Sequence, residues 1–160
     1  MKKWILGILL VLLVAVVLIQ FIPIDRSNPP VEAEIPAPPE VKTVLRSACY
    51  DCHSNETTWP WYSHIAPISW LVAHDVHAGR DELNFSTWNR YSTKQQVEKL
   101  KETLEEIEEG EMPPWFYMAV HRDIELSARD RDVLKTWARG SAVPDGPANT
   151  SPQNRPRHRD

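Results

Sequence analysis

Two cysteines and a histidine stand close together in the chain and form its most informative motif. The sequence Cys49-Tyr50-Asp51-Cys52-His53 contains the only two cysteines among the 160 residues. This spacing places both thiols on one side of a helical turn, and the histidine follows at once, so that its ring can reach the same point. The C-x-x-C-H pattern predicts covalent attachment of a haem through both cysteines, with His53 as the proximal ligand of the iron.

Three other chemistries use cysteines at this spacing, and the rest of the sequence argues against each of them. A thioredoxin-type pair normally lies near a βαβ pattern, and this chain has no convincing strand pattern. A zinc site normally needs four nitrogen or sulfur ligands, but the chain has no second pair of cysteines. A structural disulfide suits an oxidising compartment but gives His53 no role. Covalent haem attachment is therefore the expectation.

An iron that is held by one histidine needs a second axial ligand, unless that face of the haem stays open. Met112 lies in the Gly-Glu-Met-Pro-Pro sequence of residues 110–114. The two prolines stiffen this loop, which can therefore hold a thioether in place. Met112 is expected to be the distal iron ligand. The alternatives are one other methionine and four histidines: Met118, His64, His74, His77 and His121.

The segments on either side of the motif limit the part of the chain that can fold around a cofactor. Residues 1–24 are almost wholly apolar, residues 25–40 contain five prolines, and residues 140–160 contain no aromatic residue and no Leu, Ile or Met. Residues 41–139 therefore form one small domain, and this size excludes two-lobed architectures. A domain of this size often depends on a bound group for its stability.

The N-terminal segment has the composition of a membrane anchor. Lys2 and Lys3 precede the apolar residues 4–24, and about 20 residues of helix are enough to cross a bilayer. We expect an uncleaved single-pass anchor. A cleavable signal peptide is the alternative, although no typical cleavage site follows. The two lysines predict that the chain after Asp25 lies on the periplasmic side of a bacterial inner membrane.

The two proline-bearing segments are expected to lack regular structure. Proline removes a backbone donor and keeps the preceding residue extended. Residues 25–40 are therefore predicted to be an extended spacer that holds the domain off the bilayer. Residues 140–160 have the polar composition of a disordered tail.

Four helical patterns follow one another in residues 41–139, so the domain is expected to be all-α. They cover residues 41–52, 67–78, 92–109 and 127–139. The second pattern begins at Pro67, and Gly79 can close it. The third and fourth begin with capping-box signals, from Ser92 to Gln95 and at the same spacing from Ser127.

The distribution of charge bears on the partners of the protein. The chain carries a formal net charge of −4, and no segment is basic enough for nucleic-acid binding. Glutamates crowd residues 98–111, with only two lysines among them. Such a run is usually a solvated helix face, and it can also serve as a docking patch for a basic redox partner.

The stretch from residue 49 to residue 137 resembles the small bacterial haem-binding domain family of c-type cytochromes. The resemblance rests on residues 49–88, on EGEMPPWFYMAVHRDIELS at residues 109–127, and on the terminal LKTWA at residues 134–138. It implies one covalent haem c in a cytochrome c-like helical domain, with His53 proximal and a methionine of the Met-Pro-Pro loop distal. Class I cytochromes c, which are broadly similar, pack the haem helix across the C-terminal helix.

Taken together, the patterns predict a membrane-anchored monohaem c-type cytochrome that transfers single electrons in the periplasm and is not an enzyme. The alternative is a haem-based peroxidase, or a gas or redox sensor, with an open distal face. Met112 beside two prolines favours a closed face, whereas the nearby His121 would serve an open one.

Overall fold

The computed structural model describes residues 1–121, 124 and 126–141, and within them the chain is helical. The α-helices are α1 (Lys2–Ile19), α2 (Pro39–Ala48), α3 (Tyr50–His53), α4 (Ile68–Glu82), α5 (Thr93–Glu109), α6 (Trp115–Val120) and α7 (Ala128–Ser141). Two short 3-10 helices cover Trp61–His64 and Trp88–Arg90. The described residues form no strand, only an isolated bridge between Ala33 and Thr87. The all-α expectation is confirmed. The tail is predicted over residues 140–160, but Gly140 and Ser141 belong to α7, and the rest of the predicted tail lies outside the described residues.

Two helices begin where their capping signals predict. The Ser92 side chain accepts a hydrogen bond from the backbone N–H of Gln95, and the Gln95 side chain accepts one from the backbone N–H of Ser92. Ser127 and Asp130 make the same exchange at the start of α7, at 3.0 and 3.2 Å. These bonds satisfy backbone donors that have no partner inside the helix, so each start is encoded locally.

The core lies where α2, α5 and α7 meet. Helix α7 packs against both α2 and α5. The cytochrome resemblance implies that the haem helix packs across the C-terminal helix, and α2 does contact α7. The buried side chains on these three helices are Val41, Val44, Leu45, Leu100, Ile107, Leu134 and Ala138.

The helix predicted over residues 41–52 is interrupted at Cys49. Its backbone leaves the helical region, with φ −124° and ψ −33°, and separates α2 from α3. The residue after the break, Tyr50, is buried. Its ring stacks on Phe85, with 5.5 Å between the ring centroids. Cys49 therefore lies at the junction of two helices and Cys52 within the second, so that the two thiols are not on one continuous helix. Helix α6, which follows Pro114, has no counterpart among the predicted helices.

The proline-rich residues 25–40 do not act as a free spacer. Most of the segment is extended, as its prolines predict, but α2 begins within it at Pro39 and residues 26–35 form a strap along the domain. Ile35 is only 1% exposed and belongs to the core. Its N–H donates to Phe85 O at 3.0 Å, and the N–H of Glu32 donates to Ser86 O at 2.9 Å. Burial of Ile35 and pairing of the backbone stabilise the strap on the domain.

A charged side chain of the strap, that of Glu34, also holds it to the domain. The Glu34 carboxylate accepts hydrogen bonds from Lys42 Nζ at 2.5 Å, Arg46 Nη2 at 2.6 Å and Tyr50 Oη at 3.0 Å. The bond from Lys42 is the largest of the effects that lower the pKa of Glu34 from 4.5 to about 2. Glu34 therefore joins the strap to α2 and to the first residue of α3.

Replacing Glu34 with glutamine should destabilise the protein at pH 7 by about 1 to 3 kcal/mol. The folded-state pKa lies below the unfolded value of 4.5, so the stability that the ionised group contributes is present above pH 4.5 and is lost as the pH falls toward 2. Urea denaturation of Glu34→Gln and wild type at several pH values checks this. The matched control Glu40→Gln removes an exposed ion pair with Arg129 and should cost less than about 1 kcal/mol. Equal stability of Glu34→Gln and wild type at pH 7 would contradict the prediction.

Helix α1 is apolar and exposed along its whole length, and its 18 residues are enough to cross a membrane by length and composition. It ends at Ile19, before the apolar run of the sequence ends at Ile24. The side chain of Gln20 then bonds to the backbone of Ala66 in both directions. Its Nε2 donates to Ala66 O at 3.1 Å, and its Oε1 accepts from the Ala66 N–H at 2.9 Å.

Candidate functional site

Cys49 is the N-cap residue of α3 and Cys52 lies within this short helix, and both residues are half-buried. Burial raises the pKa of the Cys49 thiol to about 12 and that of the Cys52 thiol to about 11. The two sulfurs form no disulfide with each other. Two protonated thiols are therefore available to one bound group.

His53 is held with one ring nitrogen occupied. Its Nδ1 lies 2.9 Å from Gly79 O and 3.1 Å from Leu83 O. Because carbonyl oxygens only accept, we assign the proton to Nδ1, which leaves a lone pair on Nε2. Burial is the main effect on the pKa of His53 and lowers it, which favours the neutral ring. A neutral imidazole whose Nδ1 donates to a carbonyl is the form that coordinates a metal through Nε2.

Gly79 lets α4 come close to the motif. A Cβ atom at this position would lie 2.8 Å from Cys52 O and 3.2 Å from Cys52 Cβ. The prediction that Gly79 closes the helix is wrong, because α4 continues through it to Glu82. The glycine is needed inside the helix, where its carbonyl also reaches His53. The sequence gives only a weak sign that glycine is needed inside the helix: the helical pattern continues past Gly79 to Leu83.

Substituting Gly79 with alanine should therefore push α4 away from Cys52 and lengthen the bond from His53 to the Gly79 carbonyl. We expect a loss of about 1 to 3 kcal/mol in the free energy of unfolding, as for other overpacked sites, measured by urea denaturation. Gly140→Ala is the matched control, because a Cβ there meets nothing within 4 Å. Alanine should be neutral at this helical position or stabilise it by up to about 1 kcal/mol. Equal stabilities of the two variants would show that the close approach is unimportant.

Asp51 connects the motif to the loop that follows it and to α6. Its Oδ1 accepts from the Thr58 N–H at 2.9 Å, and its Oδ2 accepts from Tyr117 Oη at 2.7 Å. The Thr57 hydroxyl donates to Asp51 O at 2.7 Å. Burial is the largest effect that raises the pKa of Tyr117, which keeps the phenol protonated as a donor. These bonds place α6 beside the C-x-x-C-H turn.

His121 lies next to this network, and both of its ring nitrogens have partners. Its ring packs on Tyr117, with centroids 4.2 Å apart. Its Nε2 lies 3.2 Å from Tyr62 Oη, and its Nδ1 lies 3.2 Å from Tyr117 O. A histidine with both nitrogens engaged is less available to an iron than one with a free lone pair.

Met112 lies in the loop after α5, and its side chain is 38% exposed. Gly110 ends α5 in the left-handed conformation at φ 79°, and the Met112 N–H donates to Glu106 O at 3.2 Å. The loop is therefore tied to α5, while the thioether takes no part in the buried core. Met118 is half-buried on α6. The ligand role of Met112 stays a prediction.

The other three histidines considered as iron ligands lie at the surface or bond elsewhere. His64 and His74 are exposed, and His77 Nε2 lies 3.2 Å from Asp25 O. In the part of the chain that the structure describes, no group of three or more His, Cys, Asp and Glu side chains could hold a metal ion. An iron beside His53 would therefore depend on a porphyrin for its equatorial ligands.

Trp59 provides an independent sign of a bound group. Its Nε1 is buried and has no hydrogen-bond partner among the described residues. An indole N–H can only donate, and leaving it buried and unpaired costs about 1 to 3 kcal/mol. Trp59 follows Thr58, which is bonded to the motif, so a ligand there could supply the acceptor. Haem propionates are such acceptors, and the residues present fit a haem. Sequence reasoning missed Trp59, because nothing in its spacing distinguishes it from the other tryptophans.

Comparison with known proteins agrees with this chemistry. The model of a family described as a haem-binding domain matches residues 14–140. The match covers most of the chain and includes the C-x-x-C-H motif, the Met-Pro-Pro loop and almost all of α7. No curated protein matches the chain, and no solved structure matches it. The chain belongs to the haem-binding domain family.

Proposed function

We propose that the protein is a membrane-anchored monohaem c-type cytochrome that transfers single electrons on the periplasmic side of a bacterial inner membrane. The observation that carries the proposal is the state of His53. Its Nδ1 donates to the carbonyls of Gly79 and Leu83, its Nε2 makes no hydrogen bond within the described residues, and the two cysteines of the same motif form no disulfide. This is the donor set of a covalently attached haem, within a domain whose family binds haem.

In this proposal, Cys49 and Cys52 attach the group and His53 binds its iron. Each thiol would form a thioether by adding its sulfur and its hydrogen across one vinyl double bond, which needs no oxidant. His53 would bind the iron through Nε2, while the two carbonyls on Nδ1 orient the ring and raise its basicity. When bound, haem supplies an iron that accepts and releases one electron.

Other residues of the chain complete the environment. Met112 would supply a second ligand to the iron, and Trp59 Nε1 would donate to a propionate. Phe85 is buried against the His53 ring, with 6.3 Å between the ring centroids, and helps to exclude water from the proximal side. A site in which His53 and Met112 both held the iron would suit an electron carrier better than an enzyme that must admit peroxide.

The acidic residues 98–111, most of which lie on α5, are the proposed docking site for a basic redox partner. Ion pairs inside the chain already engage four of these carboxylates, those of Glu98, Glu102, Glu105 and Glu108. Three others make no ion pair within the described residues: Glu106, Glu109 and Glu111. Docking through these three would raise the rate of association more than the affinity, and added salt would slow it.

Absorption spectra of the purified protein test the function. We expect the reduced-minus-oxidised spectrum of one haem c, and we expect carbon monoxide to leave the reduced spectrum unchanged because both axial positions are filled. Rapid binding of carbon monoxide by the wild type would favour the alternative, a peroxidase or a gas sensor with an open distal face.

Protease treatment of spheroplasts tests the proposed location. A domain on the periplasmic side is digested, whereas a cytoplasmic domain is protected. Analysis of the N-terminus is the second measurement: an intact Lys2 in the membrane fraction supports the anchor. A soluble periplasmic chain that starts near Ile24 would show that the segment is a cleaved signal peptide.

A further inference from the structure

Four apolar side chains are exposed around the end of α1. Phe21 and Ile22 follow the helix directly, and both are exposed. Trp61 is 75% exposed in the 3-10 turn, and Ile65 just after it is 46% exposed. We call these four residues the interface patch. Exposed apolar side chains that lie together in one patch mark a site of interaction with a protein or a membrane, whereas single exposed ones are common.

We propose that the interface patch lies in the headgroup region of the bilayer that α1 spans, where Gln20 positions the domain through Ala66. This inference rests on the proposed membrane anchor and adds a second contact with lipid, made by the haem domain itself. The occupant of the patch is thus a phospholipid surface.

The first argument is the depth at which the chain leaves the membrane. The 18 residues of α1 rise about 27 Å at about 1.5 Å per residue, close to the roughly 30 Å thickness of the hydrocarbon core. Gln20 therefore lies at the boundary between the acyl chains and the headgroups. Its two hydrogen bonds keep Ala66 at the same level, so Ile65 and the 3-10 turn that precedes it lie there too.

Two further contacts hold the domain against the segment that follows α1. Arg26 Nη1 donates to Ser63 O at 3.3 Å, within the 3-10 turn. His77 Nε2 lies 3.2 Å from Asp25 O, which ties α4 to the segment that leaves α1. The domain is therefore held close to the end of the anchor.

Composition and charge favour lipid over a protein partner. Tryptophan prefers the level of the headgroups, where its ring is buried and its N–H stays solvated. Arg26 and His64 line a cleft with residues 19–24 at the same level. The guanidinium gives lipid phosphates a cationic neighbour there.

Photo-crosslinking of the full chain in vesicles of phosphatidylethanolamine and phosphatidylglycerol tests the proposal. Photoreactive p-benzoyl-phenylalanine replaces Ile65 or Trp61 in two separate variants. After irradiation we expect a covalent adduct that adds the mass of one phospholipid to the chain. A third variant carries the probe in place of Leu12, inside α1, and a fourth carries it in place of Lys101, whose side chain is 72% exposed on α5.

The four positions distinguish failure of the anchor from failure of the docking. Lipid adducts at positions 12, 61 and 65, and none at 101, support the proposal. An adduct at 12 with none at 61 and 65 overturns the docking and keeps the anchor. No adduct at 12 overturns the anchor, and the docking with it. Adduct formation at 101 as readily as at 65 also overturns the docking.

A second variant tests the positioning by Gln20. Gln20→Ala removes both bonds to Ala66 and should lower the yield of adduct at position 65 while the yield at position 12 stays the same. An unchanged yield at position 65 would overturn the role of Gln20.

Discussion

Replacing Cys49 and Cys52 with alanine is expected to give a chain that retains no haem once it is denatured. The two sulfurs are the only ones in the chain that can form thioethers at the motif, and both are free beside His53. A haem held only by His53 and a distal ligand leaves when the fold that positions these ligands is lost. Acid-acetone extraction measures this, because a covalent haem stays with the protein pellet and a free haem enters the organic layer.

Single substitutions and a matched variant make the test specific. Cys49→Ala and Cys52→Ala each leave one thioether and should retain haem in the pellet at a lower yield. Met112→Ala, which keeps both thiols, should retain it fully. The mass of the wild-type chain should exceed that of its sequence by one haem. If acid-acetone removes the haem from wild type, attachment is not covalent and the c-type assignment fails.

Met112→Ala should lower the reduction potential by a substantial part of the roughly 0.8 V range that axial ligands span. A thioether opposite a histidine stabilises ferrous iron, so its loss favours the ferric state. The weak sulfur-to-iron band near the red end of the ferric spectrum should disappear, and carbon monoxide should now bind the reduced protein. A redox titration, the ferric spectrum and the spectrum of the reduced protein with carbon monoxide measure these changes on one preparation.

Met118→Ala and His121→Ala are the controls for the distal ligand. Met118 is half-buried, so its truncation should cost about 1 to 2 kcal/mol of stability and leave the spectrum unchanged. His121 has partners on both ring nitrogens, so its loss should also preserve the ferric band. If Met112→Ala keeps the wild-type spectrum and one of the controls changes it, the distal ligand has been misassigned, and the electron-carrier proposal must be rebuilt around that residue.

The elements that the sequence predicts correctly are those encoded by near neighbours. The exchange between Ser92 and Gln95, and that between Ser127 and Asp130, involve residues three positions apart, so pattern rules locate both helix starts. The C-x-x-C-H motif is equally local, and its five residues alone indicate the cofactor. The contact between α2 and α7 followed only from the family resemblance.

The elements that the sequence does not reveal depend on contacts between distant residues. Gly79 looks like a helix stop until Cys52, 27 positions earlier, is placed against it. Ile35 stands alone among prolines, and only the Phe85 carbonyl and the core explain its burial. Trp59 is one of seven tryptophans and becomes distinctive only when its indole N–H is found without a partner. Composition and periodicity carry none of this information.

The strap determines where the chain can be truncated to remove the membrane helix without damaging the domain. A fragment that begins at Val41, after the prolines, would lose Ile35 and Glu34 and leave an apolar cavity in the core. Asn28 Nδ2 donates to Thr57 O at 2.9 Å, and Arg80 Nη1 donates to Ser27 O at 2.9 Å. The shortest fragment that keeps these contacts begins at Ser27. For expression without the membrane helix, the chain should therefore be truncated just before Ser27, which leaves all but the first residue of the strap in place.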